Sequence, residues 1–492
     1  MDHGEAANVS VAAGRDRFAF AAWLFLRLLA LIHVIAFTSY WLQLDGLVGP
    51  HGLLPAQAFF DAVRAHLGTG AWWQLPSLCW VFGADHFLSV LCAGGIVLSL
   101  LLFAGIAPAF CLTLLWAAYL SLVNAGQVLF GFQWDSLLLE TTLLAIFLAP
   151  WSLCPLWRPV EPPRLGRWLL WWLLLRLMFL SGAVKLTSGD PVWRNLTALV
   201  FHYETQPLPT TLAWHVHQLP LWVQRLSCAV MFLIELPVPF LIFAPRRFRH
   251  VAALLIVGFM ALIFLTGNYT FFNLLTIALC ALCLDDAWWA RVLRRAPVVA
   301  QPHRSVPRWL LVPVAVMIAV FTFVQGWARL TGYPPFRQSY FAAERVIGPF
   351  RSLNSYGLFA VMTTTRPELI IEGSNDGREW LPYELPHKPG DLSRRPDFVA
   401  PFQPRLDWQL WFAALEPAEQ NPWVLALCDH LLHGTPEVLR LFATNPFPGQ
   451  PPRFVRVVRF EYQFTNAAER ARNGHWWRRT PLDYYVEPAS LR

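Results

Sequence analysis

Long apolar stretches fill the first two thirds of the chain and become rare after about residue 330. A run of about 20 apolar residues can cross a hydrocarbon core of about 30 Å, and scanning for such runs gives about nine candidate helices. Their centres are Leu31, Ile96, Leu115, Leu144, Leu174, Val230, Ile256, Leu279 and Val316. The pattern therefore predicts a polytopic α-helical membrane domain over residues 18–330, after a short cytoplasmic tail of residues 1–17. Two pairs of runs, joined by residues 105–108 and 267–268, could instead form re-entrant hairpins.

In residues 331–492 the long apolar runs stop and hydrophobic and polar residues alternate over short stretches, which predicts a soluble domain. The stretch PELIIEGSNDGREWLPYEL indicates two strands around a turn at residues 375–377, because Asp-Gly favours turn backbone. FVRVVRFEYQF and WWRRTPLDYYV are further strand candidates, and LDWQLWFAAL, PWVLALCDHLL and PEVLRLFA between them have helical spacing. We predict a mostly β, sandwich-like domain with a helical insertion.

Composition supports a membrane protein. Hydrophobic residues make up 56% of the chain and charged residues only 14%, against about 25% charged in an average soluble domain. The mean hydropathy of +0.42 excludes an ordinary soluble or disordered protein. The net charge of +7 does not indicate nucleic-acid binding, because the basic residues lie in short loops beside apolar runs. The first run has full length and no small-residue cleavage site, so it is typical of an uncleaved membrane anchor.

The basic residues also predict the orientation, since Lys and Arg are retained on the cytoplasmic side of short loops. A cytoplasmic N-terminus makes alternate loops cytoplasmic, and these are the loops rich in arginine: Arg15, Arg17, Arg158, Arg164, Arg167, Arg246, Arg247, Arg249, Arg291, Arg294, Arg295, Arg304 and Arg308. The opposite loops contain few basic residues, Arg64 and Arg194 among them. The C-terminal domain is then extracytoplasmic, in a bacterial inner membrane or in the endoplasmic reticulum depending on the host.

Ionisable residues inside membrane spans are costly, so each requires a partner, a water-filled cavity or a function. Asp135 and Lys185 are expected near the same end of their spans, where they could pair. His202 and Glu204, from the loop over residues 188–220, could join them. A second polar network is predicted from Arg27, Glu140, Arg176 and Glu235. Structural ion pairing is the simpler interpretation of both groups, and a catalytic or transport site is the alternative.

Motifs that would identify a cofactor are lacking in the sequence. There is no zinc-ligand spacing, phosphate-binding glycine loop, Walker motif or nucleophile elbow. Cys280 and Cys283 form a C-x-x-C within continuous Leu and Ala, which favours buried thiols over a redox or zinc site. We therefore expect no metal, cofactor, nucleotide or nucleic-acid partner, and membrane lipid as the surroundings.

Several long blocks resemble one protein family. FGFQWDSLLLET, RLMFLSGAVKLTSGDPVWRNLTALVFHYETQPLP, IELPVPF and FLTGNYTFFN resemble the membrane part of the lipase maturation factor family. RLDWQLWFAAL, the NPF at residues 445–447 and GHWWRR resemble its C-terminal domain. The resemblance implies a membrane-bound folding or assembly factor for exported client proteins such as lipases, with its C-terminal domain on the secretory side.

A more distant similarity implies an alternative. L-S-G-A-V-K-L followed by a Trp is similar to a membrane helix of vitamin K-dependent carboxylases, whose catalytic base is a Lys. On that comparison Lys185 would be the base of a membrane-embedded, carboxylase-like enzyme acting on an exported or lipid substrate. An ion-coupled transporter is a third hypothesis, because the spans contain charged residues.

Candidate client-binding residues lie in the C-terminal domain. Exposed aromatic side chains could hold the apolar surface of a partly folded client. Arg405 and Asp407 could orient the RLDW segment. The aromatic candidates are Trp408, Trp411, Phe412, Trp476 and Trp477, and the alternative is that they form the core of their own domain.

Overall fold

A computed structural model describes residues 16–153, 158–294 and 307–491. Most of the predicted cytoplasmic tail lies outside the described residues, as do Arg15, Arg295 and Arg304 from the orientation argument. Within the described ranges, the apolar runs of the first two thirds form helices, and the C-terminal third contains a small antiparallel sheet.

Nine helices correspond to the nine predicted runs. They are α1 Ala19–Trp41, α2 Phe87–Ala104, α3 Pro108–Ala125, α4 Gln133–Leu148, α5 Arg164–Thr187, α6 Leu221–Glu235, α7 Arg246–Thr266, α8 Phe272–Ala281 and α9 Arg308–Thr331. Among the described residues, seven helices are long and apolar enough to cross a membrane. One of the seven is α6 together with the 3-10 helix Val238–Phe243 that extends it.

The other two helices correct the predicted number of spans. Helix α4 has only 16 residues, because a 3-10 turn over Gln127–Phe130 precedes it. Helix α8 has 10 residues and is bent by 106° from the next helix, Asp286–Val292, whose N-cap is Asp285. If that bent pair forms one span, the protein has eight spans among the described residues. The scan for apolar runs gave about nine because it included apolar turns.

The helix ends gather at two poles. One end, which we call the basic pole, contains ion pairs between Arg249 and Asp16 at 2.7 Å and between Arg246 and Asp285 at 2.5 Å. The N–H of Ala19 donates to Asp286 at 2.9 Å, which joins the start of α1 to the segment after α8. The opposite end, the domain pole, contacts the C-terminal region. Loops predicted to share the cytoplasmic side therefore lie together at the basic pole, as far as they are described.

Short helices cover the domain pole. The first long loop, between α1 and α2, forms Leu44–Val48, Ala56–Leu67, Ala71–Gln74 and Cys79–Phe82. The second forms Pro191–Arg194, Ala198–Thr205 and Thr211–His217. After α9, helix α10 spans Arg337–Ile347, and an irregular segment then leads back across the ends of the membrane helices.

The C-terminal domain contains one antiparallel sheet in the order β2-β1-β3-β4. Its strands are β1 Pro367–Ser374, β2 Leu381–Pro382, β3 Phe454–Phe464 and β4 Trp477–Ala489. The predicted helical insertion is present as α11 Arg405–Ala414, α12 Pro422–His433 and Pro436–Leu439, and Ala467–Asn473 connects β3 to β4. Among the described residues, α11 packs on β1 and α12 on β3, so helices take the place of a second facing sheet.

Candidate functional site

Asp135 at the start of α4 pairs with Arg405 at the start of α11. The guanidinium donates to both carboxylate oxygens, at 3.0 and 3.1 Å, and the Tyr119 hydroxyl donates to the same carboxylate at 2.5 Å. The Arg405 guanidinium also lies over the Phe130 ring, 3.4 Å from its centroid. Both charged residues are buried. This contact joins the membrane domain to the C-terminal domain, and the predicted pairing of Asp135 with Lys185 is wrong.

Lys185 on α5 instead pairs with Glu235 at the end of α6. Its ammonium lies 2.9 and 2.7 Å from the two Glu235 oxygens. Gly182 permits this approach, because a Cβ at that position would lie 2.8 Å from the Glu235 Cβ. Glu235 on the neighbouring helix is therefore the counter-charge of Lys185, although the sequence analysis had placed Glu235 in the second polar network.

The polar network predicted from Arg27, Glu140, Arg176 and Glu235 divides into separate contacts. Arg176 forms a buried ion pair with Glu140. Arg27 contacts Trp23, with its guanidinium 4.4 Å from the ring centroid, and it forms no ion pair with another described residue. Glu235 belongs to Lys185, as described above.

The segment after α10 completes the Glu140 cluster. The Glu140 carboxylate accepts the Asn354 N–H at 3.0 Å and the Tyr356 hydroxyl at 2.7 Å, while Arg176 donates to the Asn354 carbonyl at 2.8 Å. Sequence reasoning missed Asn354 and Tyr356. The available signal was RSLNSYG, a polar stretch near the start of the predicted C-terminal domain.

His202 and Glu204 also connect loops rather than join Lys185 in a hydrogen-bonded group. The Tyr269 hydroxyl lies 3.2 Å from the His202 Nε2, and burial, with the Lys185 ammonium as a second cause, lowers the pKa of His202 to about 4. His202 is therefore neutral at pH 7. The Glu204 carboxylate accepts the Phe464 N–H at 2.9 Å, which ties the second long loop to β3.

A buried arginine that the sequence analysis did not single out strengthens the same junction. Arg366, just before β1, donates to the backbone carbonyls of Glu204, Gln206 and Pro207. It also pairs with Glu368 at 2.7 Å, and Lys388 lies 2.6 Å from the same carboxylate. Two domains predicted as separate in sequence therefore share a charged, hydrogen-bonded interface.

A cavity of about 630 Å³ lies in this interface. Its walls come from the domain-pole ends of α4 and α9, from α10, from the segment over residues 348–363 and from α11. One wall is aromatic, formed by Phe132, Trp134, Tyr269, Phe359, Trp408, Trp411 and Phe412. The rest of the cavity lining includes the polar residues Gln133, Gln325, Arg329, Glu344, Arg351 and Asn354. Its size and mixed lining are typical of a binding pocket for an organic ligand or a protein segment.

The structure buries most of the aromatic residues predicted as an exposed client-binding surface. Trp408 and Trp411 are 3% and 4% exposed and line the cavity, whereas Phe412 is 39% exposed at its rim. Trp476 and Trp477 pack with Trp214 in a separate hydrophobic cluster. Their rings fill the space between the sheet and the second loop, as the alternative interpretation expected.

Arg405 and Asp407 hold α11 in place. Arg405 ties the helix to α4, as described, and the Asp407 carboxylate accepts the N–H groups of His387 and Lys388 at 2.9 and 2.8 Å. These contacts position the aromatic wall that α11 contributes. No group of three or more His, Cys, Asp or Glu residues is placed to hold a metal within the described ranges, and the seven described cysteines are free and buried.

Comparison with known proteins covers both parts of the chain. Residues 20–291 match the family described as lipase maturation factor transmembrane domain, and residues 352–487 match the lipase maturation factor C-terminal domain. No solved structure matches the chain significantly.

Several curated proteins are similar over nearly the whole chain. Lipase maturation factor 2 of Rattus norvegicus is 37% identical over 95% of this chain and 83% of its own length. Lipase maturation factor 2 of Homo sapiens is 37% identical, with 95% and 82% covered. Lipase maturation factor 1 of Mus musculus is 34% identical, with 95% and 86% covered.

Proposed function

Because this chain belongs to the lipase maturation factor family, we propose that it is a membrane-bound factor that assists the folding or assembly of exported lipases or similar enzymes. The observation that carries the proposal is similarity over 95% of the chain, across both domains. The buried Asp135–Arg405 pair supports treating those domains as one functional unit, since neither charge has its partner without the other domain.

We propose that the basic pole faces the cytoplasm and the domain pole the extracytoplasmic side. The support is the clustering of arginine beside the basic-pole ends of the helices, which include Arg164 and Arg167 on α5 and Arg246, Arg247 and Arg249 on α7. The membrane is that of the endoplasmic reticulum in a eukaryotic host and the inner membrane in a bacterial one. A client exported across either membrane would then meet the C-terminal domain.

The client-binding role is assigned to the surface around the cavity rim. Phe412 is the exposed member of the predicted aromatic set, and it lies beside the buried Trp408 and Trp411. Arg405 and Asp407 contribute by fixing α11, and they do not contact the client themselves. Apolar surface of a partly folded client would pack on Phe412 and its neighbours.

The test is deletion of the gene in a host that secretes a lipase. We expect the specific activity of the secreted lipase, measured per unit of lipase mass at constant mRNA, to fall and to be restored by the wild-type chain. Phe412→Ala should restore it less well than a matched change of an exposed aromatic residue on β4, Tyr484→Ala. Normal lipase mass and specific activity in the deletion strain would contradict the proposal.

The two alternative functions have less support from the geometry. A carboxylase-like base requires an amine that is free to reach the substrate, whereas the Lys185 amine contacts both Glu235 oxygens. An ion-coupled transporter was inferred from a charged cluster, and Arg27, Arg176 and Glu235 instead make three separate contacts.

A further inference from the structure

Two arginines of the interface cavity form no ion pair with another described residue. Arg329, near the end of α9, and Arg351, just after α10, both line the cavity. Neither guanidinium donates a hydrogen bond to another described residue. Asp135, whose charge acts on Arg351 without a direct ion pair, is already paired with Arg405. Glu344 is the other charged residue of the lining, so the lining as a whole is cationic.

Arg351 is held in an unfavourable state. It is partly buried, and this burial lowers the pKa of its guanidinium, an effect that the charge of Asp135 only partly opposes. Its backbone φ is +48°, and Phe359 in the same lining has a φ of +53°, a region that L-residues rarely adopt. Strain and desolvation of this kind persist where the surrounding structure imposes them, commonly at ligand sites. An anionic ligand would supply a directly contacting counter-charge.

The position of the cavity restricts the class of ligand. Gln325 and Arg329 lie within the last two turns of α9, and Phe132 and Trp134 lie at the first turn of α4. The cavity is therefore at the level where membrane helices leave the hydrocarbon, which is the depth of lipid headgroups. Its aromatic wall offers apolar surface beside the cationic groups.

We propose that this cavity binds an anionic phospholipid from the surrounding leaflet, with the phosphate at Arg351 and Arg329 and the first part of an acyl chain against the aromatic wall. Guanidinium groups suit this ligand because they bind phosphate oxygens in pairs. The proposal goes beyond the maturation role and does not depend on it. A bound lipid would fill the space between the two domains at the site where α11 meets α4.

The test uses the full chain in nanodiscs that contain phosphatidylglycerol with a photoactivatable acyl chain. Cross-linked peptides are identified by mass spectrometry, and we expect them in residues 129–136, 348–363 and 405–415. The double variant Arg329→Gln/Arg351→Gln should lower the yield about tenfold, since each basic residue near a lipid surface contributes a severalfold factor. The effect should weaken as salt is raised.

Two controls separate binding from general attraction to the membrane. Arg337→Gln/Arg345→Gln removes two exposed arginines of α10 that do not line the cavity, and it should leave the yield unchanged. Ala360→Trp fills the cavity without changing its charge, and it should abolish cross-linking while the melting temperature stays close to that of the wild-type chain.

Three results would overturn the proposal. An equal loss of cross-linking yield in both double arginine variants would show non-specific electrostatic attraction to the membrane. Equal cross-linking of phosphatidylcholine would show that the site does not select an anion. Displacement of the probe by free fatty acid, with no displacement by unlabelled phosphatidylglycerol, would assign the cavity to a different ligand.

Discussion

Arg405 and Asp135 lie 270 positions apart in the chain, and each satisfies the other's charge in the buried interface. The same holds for Lys185 with Glu235 and for Arg176 with Glu140. Removing one partner of a buried pair leaves an uncompensated charge, whereas removing both also removes the desolvation cost. At the scale of residues, these pairs therefore respond differently to single and double substitution.

For the interface pair, we expect Arg405→Met to destabilise the protein by about 3 to 5 kcal/mol, because Asp135 is then buried without a partner. The double variant Asp135→Leu/Arg405→Met should recover most of this loss. Unfolding in detergent can be followed with a thiol-reactive dye, since the seven described cysteines are free and buried.

The matched control for that cycle is the exposed pair of Arg459 and Asp483 on the sheet. Arg459→Met should cost only about 0 to 1 kcal/mol, the usual range for surface ion pairs. Similar losses for Arg405→Met and Arg459→Met would contradict the structural role assigned to Arg405.

Lys185 distinguishes the maturation factor from the enzyme hypothesis. If Lys185 is a structural partner of Glu235, Lys185→Ala should lower both expression and melting temperature. The double variant Lys185→Met/Glu235→Leu should then restore expression, melting temperature and lipase maturation. A catalytic base predicts the reverse pattern, with a stable but inactive Lys185→Ala protein that the second change does not rescue. Thermal unfolding and lipase specific activity, measured on the same three variants, decide between them.

At the scale of elements, close helix packing determines which charges meet. Helices α5 and α6 approach so closely at Gly182 that a Cβ would lie 2.8 Å from the Glu235 Cβ and 3.0 Å from the Leu236 side chain. The Lys185–Glu235 pair forms one turn further along the same contact. Helix position, rather than the presence of charged residues alone, therefore creates the pair.

We predict that Gly182→Ala costs about 1 to 3 kcal/mol, because the added methyl group must separate α5 from α6. Gly258→Ala on α7 is the matched control, since nothing lies within 4 Å of a Cβ there. That change should be neutral or stabilising, because Ala favours a helix more than Gly does. Thermal unfolding of the two variants checks the difference, and equal effects would contradict the packing argument.

At the scale of the whole molecule, the nine helices and the C-terminal domain are arranged between two poles. The ion pairs of Asp16, Arg246, Arg249 and Asp285 define one pole, and the C-terminal domain covers the other. If the protein is oriented as the distribution of arginine indicates, the two poles face different compartments.

Reporter fusions test this orientation. A reporter placed after Arg249 should be cytoplasmic, and one placed after Arg492 should be extracytoplasmic, because an odd number of helical segments separates the basic pole from the C-terminal domain. A third fusion after Gly189, in the second loop of the domain pole, should report the same side as Arg492. Fusions after Arg249 and Arg492 on the same side would rule out the proposed topology.

Much of the architecture followed from local patterns in the sequence. Apolar runs located the membrane helices, alternation located β3 and β4, and LDWQLWFAAL located α11. Family membership was also predicted, because long blocks such as FGFQWDSLLLET depend on residue identity alone. The sequence overestimated the spans at α4 and α8, since an apolar turn and an apolar helix have similar composition.

The pairing of charges and the cavity were decided by the tertiary structure. The sequence indicated how deep Lys185 and Asp135 lie in the membrane, but depth does not specify which helix is adjacent, and Gly182 places Glu235 next to Lys185. Nor does local spacing show that Arg405 crosses a domain boundary to reach Asp135, or that Arg351 and Trp408 line one cavity. These contacts join residues far apart in the chain, so they depend on helix rotation and domain docking, which no local periodicity records.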